Sequence, residues 1–576
     1  MRRPEMTLRR RIQSLLVIAA AFACGSALMF GAWWLYGRPQ PLPAAPLGGL
    51  VDGRFACLSY APYRDGQSPF DVNFVVPPAQ IEEDLTILAA HTACVRTYST
   101  DQGLAEVVPA AARHNLKVML GAWIGSDREK SAREAESVIA LANRYPDTVA
   151  AVIVGNEVLL RRDETPERLA AYIRQVKSAV RVPVTYADVW EFWLRNRALA
   201  DEVDFVTVHM LPYWEDQPIA VPGALRHVGD VLKRVQESFP GKKLFVGEIG
   251  WPSLGRMRED ARPSPSDQTR FLREFVAMSQ QIGVGYNFIE AFDQSWKRQS
   301  EGTVGGHWGL YDASRRSKVE LAGPVSDDPQ WRNHWWIGAG LGVLVLFAGM
   351  YGRRRLPLPS GWTAGAALLG AVAGAGLEAH AIYIAETART PFDWTGLSIG
   401  FGLSAIVAAL AVRALIERGD HGAITLRAPI EDVLDAIAAR RFVPSRGFVT
   451  ATVEAVLLAF ALAAALAILT DGRYRDFPTF VYFVPALSFA ALWIAGDRVP
   501  ADGNRPAHVA AVALAVAAVA IVVNESLRNT QALAWAATAL ALSAPRVLDL
   551  ARTIQTRSRA SVASPSTSPT DAGPAL

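Results

Sequence analysis

Cysteine is scarce in this chain of 576 residues, which has only Cys24, Cys57 and Cys94. There is no CxxC pair or Cys/His cluster, which excludes the usual zinc patterns, and we expect neither metal nor cofactor. Cys57 and Cys94 lie near the starts of two predicted neighbouring strands. Counting back in twos from Tyr60 and Tyr98 puts Cys94 on the face of its tyrosine, but not Cys57. We therefore expect two buried free thiols rather than a disulfide.

Net charge is also small. The chain has 58 Lys and Arg against 55 Asp and Glu, a formal charge of +3, and we expect no nucleic-acid partner. The apolar residues, in contrast, are unevenly distributed. Residues 52–325 have the mixed composition of a soluble protein, whereas Ala, Leu, Val and Gly dominate after His334. The second composition is typical of a membrane domain, with a lipid bilayer as its partner.

Eight apolar segments predict membrane helices. The first, residues 12–36, carries no charge, follows an Arg-rich start and lacks a clear A-x-A site, which favours an uncleaved anchor. The seven others follow the soluble part, near residues 335–351, 362–385, 395–416, 448–469, 479–495, 509–523 and 532–545.

Arginine distribution predicts the orientation of these helices. When the loops are alternated, one side receives Arg2, Arg3, Arg9, Arg10, Arg11, Arg353, Arg354, Arg355, Arg440, Arg441, Arg446, Arg498, Arg505, Arg546 and Arg552. The other side receives Arg389, Arg473, Arg475 and Arg528. Because the arginine-rich side is normally cytoplasmic, both termini are expected in the cytoplasm and the soluble domain outside, in a periplasm.

The predicted boundaries follow from these patterns. They are a cytoplasmic N-terminus (1–11), a transmembrane anchor (12–36), a linker (37–51), the soluble domain (52–322), a second linker (323–334), a membrane domain of about seven helices (335–547) and a disordered cytoplasmic tail (548–576).

Strand-like and helical stretches alternate in the soluble domain. Eight strand-like runs lie at residues 55–63, 93–99, 117–124, 149–157, 182–189, 203–213, 243–251 and 285–293. Such alternation favours a parallel sheet, and eight units in this length predict a (β/α)8 barrel (TIM barrel) beside an α-helical transmembrane bundle.

Polar and aromatic residues gather where these strands end, which is the edge that carries the chemistry of this fold. They are Tyr60, Arg96, Tyr98, Asn156, Glu157, Tyr213, Glu248, Trp251, Glu290 and Trp296. So many at one rim predict an active site. The three tyrosines are equally compatible with sugar contacts and with packed rim aromatics.

Glu157 and Glu248 lie about three βα units apart, nearly across the barrel mouth. Two facing carboxyl groups serve a retaining glycosidase as acid/base and nucleophile. If Arg96 reaches Glu248, it would keep that carboxylate ionised as the nucleophile. Glu157 follows a hydrophobic strand, so we expect the raised pKa of an acid catalyst, and Asn156 could bind the sugar 2-hydroxyl.

The motifs "VGNE" (154–157), "GEIGWPS" (247–253), "EAFDQSWK" (290–297) and "GHWGLYDASRRSK" (306–318) resemble glycoside hydrolase family 17. The resemblance implies a retaining enzyme on β-1,3-glucan, either a glucanase or a glucan transferase, with Glu157 as acid/base and Glu248 as nucleophile. Plant members carry an acidic residue after the last strand, where this chain has Gln294.

The order of anchor, barrel and helix bundle also resembles bacterial proteins proposed to place β-1,6 linkages in cyclic β-1,3/1,6-glucans. This implies a multi-pass protein of the inner membrane, with β-glucan as donor and acceptor and a glucan synthase or export system as a candidate partner. Transfer is the favoured reaction, hydrolysis of β-1,3-glucan the alternative, and an inactive glucan sensor a third reading that both carboxylates argue against.

Overall fold

The computed structural model describes residues 7–422, 428–439, 445–499 and 504–563. The chain divides into two compact units. One comprises Arg38–Pro329 with Tyr474–Asp476, and the other comprises Met1–Gly37, Gln330–Arg473 and Phe477–Leu576. The predicted features at residues 1–6, Arg440, Arg441 and 564–576 lie outside the described residues.

The unit that contains Arg38–Pro329 is a closed barrel of eight parallel strands in sequential order. The strands are β1 (Leu58–Ser59), β2 (Cys94–Arg96), β3 (Lys117–Ala122), β4 (Val149–Asn156), β5 (Val184–Val189), β6 (Val206–His209), β7 (Leu244–Ile249) and β8 (Gly285–Phe288). β8 pairs back to β1 through Phe288 and Leu58, which closes the barrel. The (β/α)8 prediction is confirmed.

The described α-helices are numbered through both units. In chain order they are α1 (Leu8–Gly37), α2 (Pro78–Ala89), α3 (Val107–Arg113), α4 (Arg128–Arg144), α5 (Val158–Arg161), α6 (Pro166–Ala179), α7 (Trp190–Arg195), α8 (Leu199–Glu202), α9 (Val221–Ser238), α10 (Pro265–Ile282), α11 (Arg298–Gly305), α12 (Trp331–Met350), α13 (Gly361–Thr387), α14 (Pro391–His421), α15 (Ile430–Ala438), α16 (Arg446–Thr470), α17 (Thr479–Ile494), α18 (Arg505–Glu525) and α19 (Thr530–Ala563).

Local sequence explains where the helices around the barrel begin. Asp127, Thr165 and Ser264 each accept a hydrogen bond from a backbone N–H of the first turn, of α4, α6 and α10 respectively. These caps satisfy N–H groups that lack an intrahelical partner. Pro166 and Pro265 then stand at the first helical position, where a missing N–H costs nothing.

Below the mouth, the barrel interior holds a cluster of apolar side chains. Its buried residues are Cys57, Cys94, Met119, Ala151, Ile153 and Ala187. Here the expectation of two free thiols is wrong, since Cys57 and Cys94 form a disulfide. Leu58 is in register with Val95, so the preceding cysteines face each other across β1 and β2. The count failed because Tyr60 lies past the end of β1 and points outward to Asp84, whereas Tyr98 points inward.

The second unit is made of apolar helices. Of the described helices, α1, α12, α13, α14, α16, α18 and the 530–559 part of α19 are long and apolar enough to cross a membrane, by length and composition. α17 is apolar but shorter, at 16 residues. Each predicted apolar segment overlaps one of these eight helices. α19 continues to Ala563, past residue 547, where the sequence predicts a disordered tail to begin.

Candidate active site

The carboxylates predicted to do the chemistry meet inside the barrel mouth. Glu157 follows β4, His209 ends β6 and Glu248 lies on β7. One ligand-type atom from each lies within 4.8 Å of the other two. The Nδ1 of His209 is 3.0 Å from Oε1 of Glu157, and its Nε2 is 3.7 Å from Oε1 of Glu248. The two carboxylates are thus neighbours, with an imidazole against both.

Arg96 joins this group from β2. It is fully buried. Its Nη1 donates to Oε1 of Glu248 at 3.1 Å and to the carbonyl of Gly247 at 2.6 Å. Its Nη2 donates to Oδ1 of Asn156 at 2.5 Å and lies 3.4 Å from Nε2 of His209. The predicted contact between Arg96 and Glu248 is present, and the same guanidinium orients the amide of Asn156.

Tyr98 completes the surroundings of Glu248. Its hydroxyl donates to Oε1 of Glu248 at 2.8 Å and lies 2.7 Å from the hydroxyl of Ser59. Asn287 on β8 donates to the hydroxyl of Ser59 at 2.7 Å and to the carbonyl of Gly247 at 2.8 Å. Glu248 is therefore fixed by the donors Arg96 and Tyr98, while Asn287 holds the backbone beside it, which suits a carboxylate that must attack along one direction.

The backbone at Glu157 is strained. Its φ and ψ are 53° and 32°, and the φ of Gly155 is 88°. A non-glycine residue in the left-handed region is unfavourable, and such residues concentrate at functional sites. The carbonyl of Asn156 is held by Arg161. The turn thus aims Glu157 into the mouth as β4 gives way to α5.

The protonation of Glu157 differs from the expectation. Burial raises its pKa, but the hydrogen bond from His209 and the electrostatic effect of His209, Arg161 and Arg96 outweigh burial, so the pKa lies below its ordinary value. The expected raised pKa rested only on the hydrophobic strand before Glu157. The barrel also brings the guanidinium groups of Arg96 and Arg161 and the hydrogen-bonding imidazole of His209 to this carboxylate.

Within the described residues, Glu157, His209 and Glu248 are spaced closely enough to share a metal ion. The guanidinium of Arg96, however, contacts Glu248 and faces Nε2 of His209. A second cation among these atoms would be repelled at short range. The arrangement therefore suits acid–base chemistry better than metal binding.

Three residues predicted to contact substrate are packed away from this centre. Tyr60 is buried and donates to Asp84 at 3.2 Å. Tyr213 is buried and donates to the carbonyl of Arg256 at 2.6 Å. Trp251 is buried against Phe271 and donates to a backbone carbonyl. All three belong to the outer barrel core, so the structure does not bring them to the carboxylates, and the two tyrosines fit the alternative of packed aromatics.

Glu290 and Trp296 lie beside β8. Glu290 is buried and pairs with Lys297 at 2.8 Å. Burial raises the pKa of Glu290 to about 7, although Lys297 opposes the shift. Trp296 is half-buried, and its indole N–H donates to Oε1 of Gln294 at 2.8 Å. The centroid of its ring lies 5.5 Å from that of Phe70, which is exposed. Trp296 can therefore offer an aromatic surface to a sugar ring.

Sequence reasoning missed two polar contributors. Neither His209 nor Lys297 is among the residues predicted from the sequence. Alternation along β6 could have found His209, because Thr207, two residues earlier, faces the barrel interior beside Thr185. No sequence signal assigns Lys297 to Glu290, since the loop after β8 decides that contact.

Comparison with known proteins identifies a glycoside hydrolase domain in this chain. Residues 57–309 match the family model described as the BtgE/BtgC glycoside hydrolase domain. A glucan 1,3-beta-glucosidase of Arthroderma benhamiae is 32% identical over 264 residues, spanning 42% of this chain and 83% of that protein. A glucan 1,3-beta-glucosidase of Saccharomyces cerevisiae is 28% identical over 263 residues, spanning 42% and 84%.

Among solved structures, a glycoside hydrolase family 17 beta-1,3-glucanosyltransferase from Rhizomucor miehei is similar over 46% of this chain and 97% of that chain. The sequence identity is 25% and the TM-score is 0.42.

Proposed function

We propose, since the chain belongs to the BtgE/BtgC glycoside hydrolase family, that it is a membrane-anchored retaining transglycosylase. It cleaves β-1,3-glucan and rejoins the fragment through β-1,6 or further β-1,3 linkages in an envelope glucan. The donor and the acceptor are both β-glucans. Hydrolysis of β-1,3-glucan by the same site is the alternative.

The observation that carries the retaining mechanism is the separation of Glu157 and Glu248, whose nearest ligand atoms lie within 4.8 Å. Retaining glycosidases hold their carboxyl groups at about 5 Å, whereas inverting enzymes need a wider gap for a water molecule. A direct attack by one carboxylate therefore fits this mouth better than attack by an intervening water.

The steps follow from the contacts. An oxygen of Glu248, held by Arg96 and Tyr98, attacks the anomeric carbon, and the bond to the leaving glucan breaks. Protonated Glu157 gives its proton to the leaving oxygen. Glu157, now ionised, takes a proton from an incoming hydroxyl, whose oxygen displaces Glu248 and restores the β configuration.

Transfer and hydrolysis differ only in the incoming hydroxyl, which comes from a glucan or from water. The extensive set of apolar helices favours transfer, because an enzyme that only digests external polymer has little need of such an anchor. An inactive sensor is disfavoured, because both carboxylates and the arginine beside Glu248 are present.

Location is part of the proposal. We place the barrel on the outer side of a bacterial inner membrane, in the periplasm, with both termini in the cytoplasm. The arginine distribution supports this orientation. The disulfide between Cys57 and Cys94 supports it as well, because disulfides persist in oxidising compartments and are rare in the cytosol.

The test uses the full-length protein in detergent with defined β-1,3-gluco-oligosaccharides. Mass spectrometry and linkage analysis follow the products in water enriched in 18O. Products longer than the substrate support transfer. If all products are shorter than the substrate and carry 18O, the protein is a glucanase. If the protein shows no turnover that depends on Glu248, as judged with Glu248→Gln, both reactions are rejected.

A further inference from the structure

The imidazole of His209 occupies a position that the two-carboxylate mechanism leaves unexplained. It is 1% exposed and lies between the two catalytic carboxylates. Nδ1 lies 3.0 Å from Oε1 of Glu157, and Nε2 faces both Nη2 of Arg96, at 3.4 Å, and Oε1 of Glu248, at 3.7 Å.

These neighbours decide which nitrogen carries hydrogen. Arginine is always a donor and never an acceptor. Because the guanidinium of Arg96 faces Nε2 of His209, Nε2 must present a lone pair. The neutral imidazole of His209 therefore carries its hydrogen on Nδ1. Nδ1–H then donates to Oε1 of Glu157, which acts as an acceptor in both of its protonation states.

From this contact we propose that His209 is a positioning residue for Glu157. By donating to Oε1, it keeps the transferable proton of Glu157 on Oε2, and it favours the ionised carboxylate that activates the incoming hydroxyl. This inference rests on the proposed function, in which Glu157 is the acid/base.

The proton inventory of the cycle is then complete. In the first half-reaction, the proton leaves Oε2 of Glu157 for the departing glucan oxygen as the anomeric carbon bonds to Glu248. In the second, Oε2 takes a proton from the acceptor hydroxyl as the bond to Glu248 breaks. The hydrogen on Nδ1 of His209 stays in place throughout, so His209 neither gains nor loses a proton.

Other charged groups also act on Glu157. Arg96 comes from β2, Asp188 from β5, Glu248 from β7, Arg161 from α5 and Glu301 from α11. His209 differs from them because it donates a hydrogen bond directly to the carboxylate. That bond, with the positive groups, places the pKa of Glu157 below its ordinary value despite burial.

The sign of the expected effect follows. In the free enzyme, kcat/KM requires protonated Glu157, so its alkaline limb reports the pKa of this acid. Removing the donor at residue 209 takes away stabilisation of the ionised form and raises that pKa. The alkaline limb should therefore move to higher pH, by about one unit.

The experiment compares four variants of the full-length protein in detergent, through pH profiles of kcat/KM on a β-1,3-gluco-oligosaccharide. His209→Ala removes the donor, and His209→Leu removes it while filling the space. His209→Asn keeps an N–H donor at the position of Nδ1. His114→Ala is the matched control, because His114 pairs with Glu82 at 2.8 Å on the outside of the barrel.

We expect His209→Ala and His209→Leu to move the alkaline limb upward and to lower kcat about tenfold at neutral pH, because the base is misaligned. His209→Asn should keep the limb near its wild-type position, and His114→Ala should change neither quantity. A limb that stays in place in both donor-free variants would overturn the inference. If the wild type itself does not act on β-1,3-glucan, the proposed function fails instead.

Discussion

The two ends of the barrel interior differ in the chemistry of their side chains. At the C-terminal ends of the strands, the inward side chains are charged or polar and hydrogen-bonded to one another: Arg96, Asn156, Glu157, His209 and Glu248. Below them the side chains are mostly apolar, with the disulfide of Cys57 and Cys94 and the hydrogen-bonded hydroxyls of Thr185 and Thr207. On β2 the change takes two residues, from Cys94 to Arg96, or about 7 Å. One face of a strand can thus carry polar, hydrogen-bonded side chains at one end and packed side chains at the other.

The difference shows where function and stability reside. Buried charges are unfavourable unless they are paired, so the polar end is maintained by mutual contacts that also align the reacting groups. The apolar end needs no alignment, only filled volume and a covalent link. We therefore expect substitutions at the polar end to change the rate and its pH dependence, and those at the apolar end to change the melting temperature.

The largest effect is expected from removing Glu248, the proposed nucleophile. Glu248→Gln should lower kcat/KM on β-1,3-gluco-oligosaccharides by roughly four orders of magnitude, because no covalent intermediate can form. The melting temperature should change far less. The control is Glu106→Gln, which replaces an exposed glutamate on the barrel surface. Full activity of a folded Glu248→Gln protein would contradict the assignment.

A smaller loss of activity is expected from Arg96→Met. It removes the donor to Glu248 and the anchor of Asn156, and we expect kcat/KM to fall about a thousandfold. It should also lower the melting temperature, because a buried carboxylate loses its cationic partner. Arg96→Lys should recover part of the stability but little of the rate, since lysine cannot contact Gly247, Glu248 and Asn156 together. Equal recovery of the melting temperature and of kcat/KM would indicate that Arg96 contributes only its positive charge.

At the apolar end, replacing both cysteines by serine tests stability without chemistry. Loss of the bridge between Cys57 and Cys94, which are 37 residues apart, should destabilise the barrel by about 4 kcal/mol. Thermal unfolding of the full chain, with and without reductant, measures this effect, and kcat should remain unchanged. A large fall in kcat with an unchanged melting temperature would show that the two ends are not separate.

The smallest effect concerns Glu290, whose pKa is raised by burial to about 7. The folded state keeps its proton at pH values where the unfolded state has lost it, so this group stabilises the fold at low pH. That stability should be lost as the pH rises from about 4.5 to 7, which lowers the melting temperature by a few degrees. Glu290→Gln cannot ionise and should flatten the dependence. An identical slope in the variant would exclude Glu290 as its source.

Much of the fold could be predicted because it rests on local patterns. The alternation of apolar strands and amphipathic helices indicated eight βα units, and carboxylates at the ends of β4 and β7 indicated the pair that we propose to be catalytic. Alternation is reliable only within a strand. Tyr60 and Tyr213 lie past their strand ends, where the chain turns, so their side chains pack outward.

Two kinds of information thus separate in this protein. The sequence by itself determined the barrel, the apolar helices and the identity of Glu157, Glu248 and Arg96 as groups at one rim, because periodicity and strand ends are local properties. Only the tertiary structure decided the disulfide, the ion pair of Glu290 with Lys297, and the position of His209 against Glu157. These contacts depend on distances between residues that are far apart in the chain, and strand register and loop paths set those distances. The same distances decide the charge that each buried group carries.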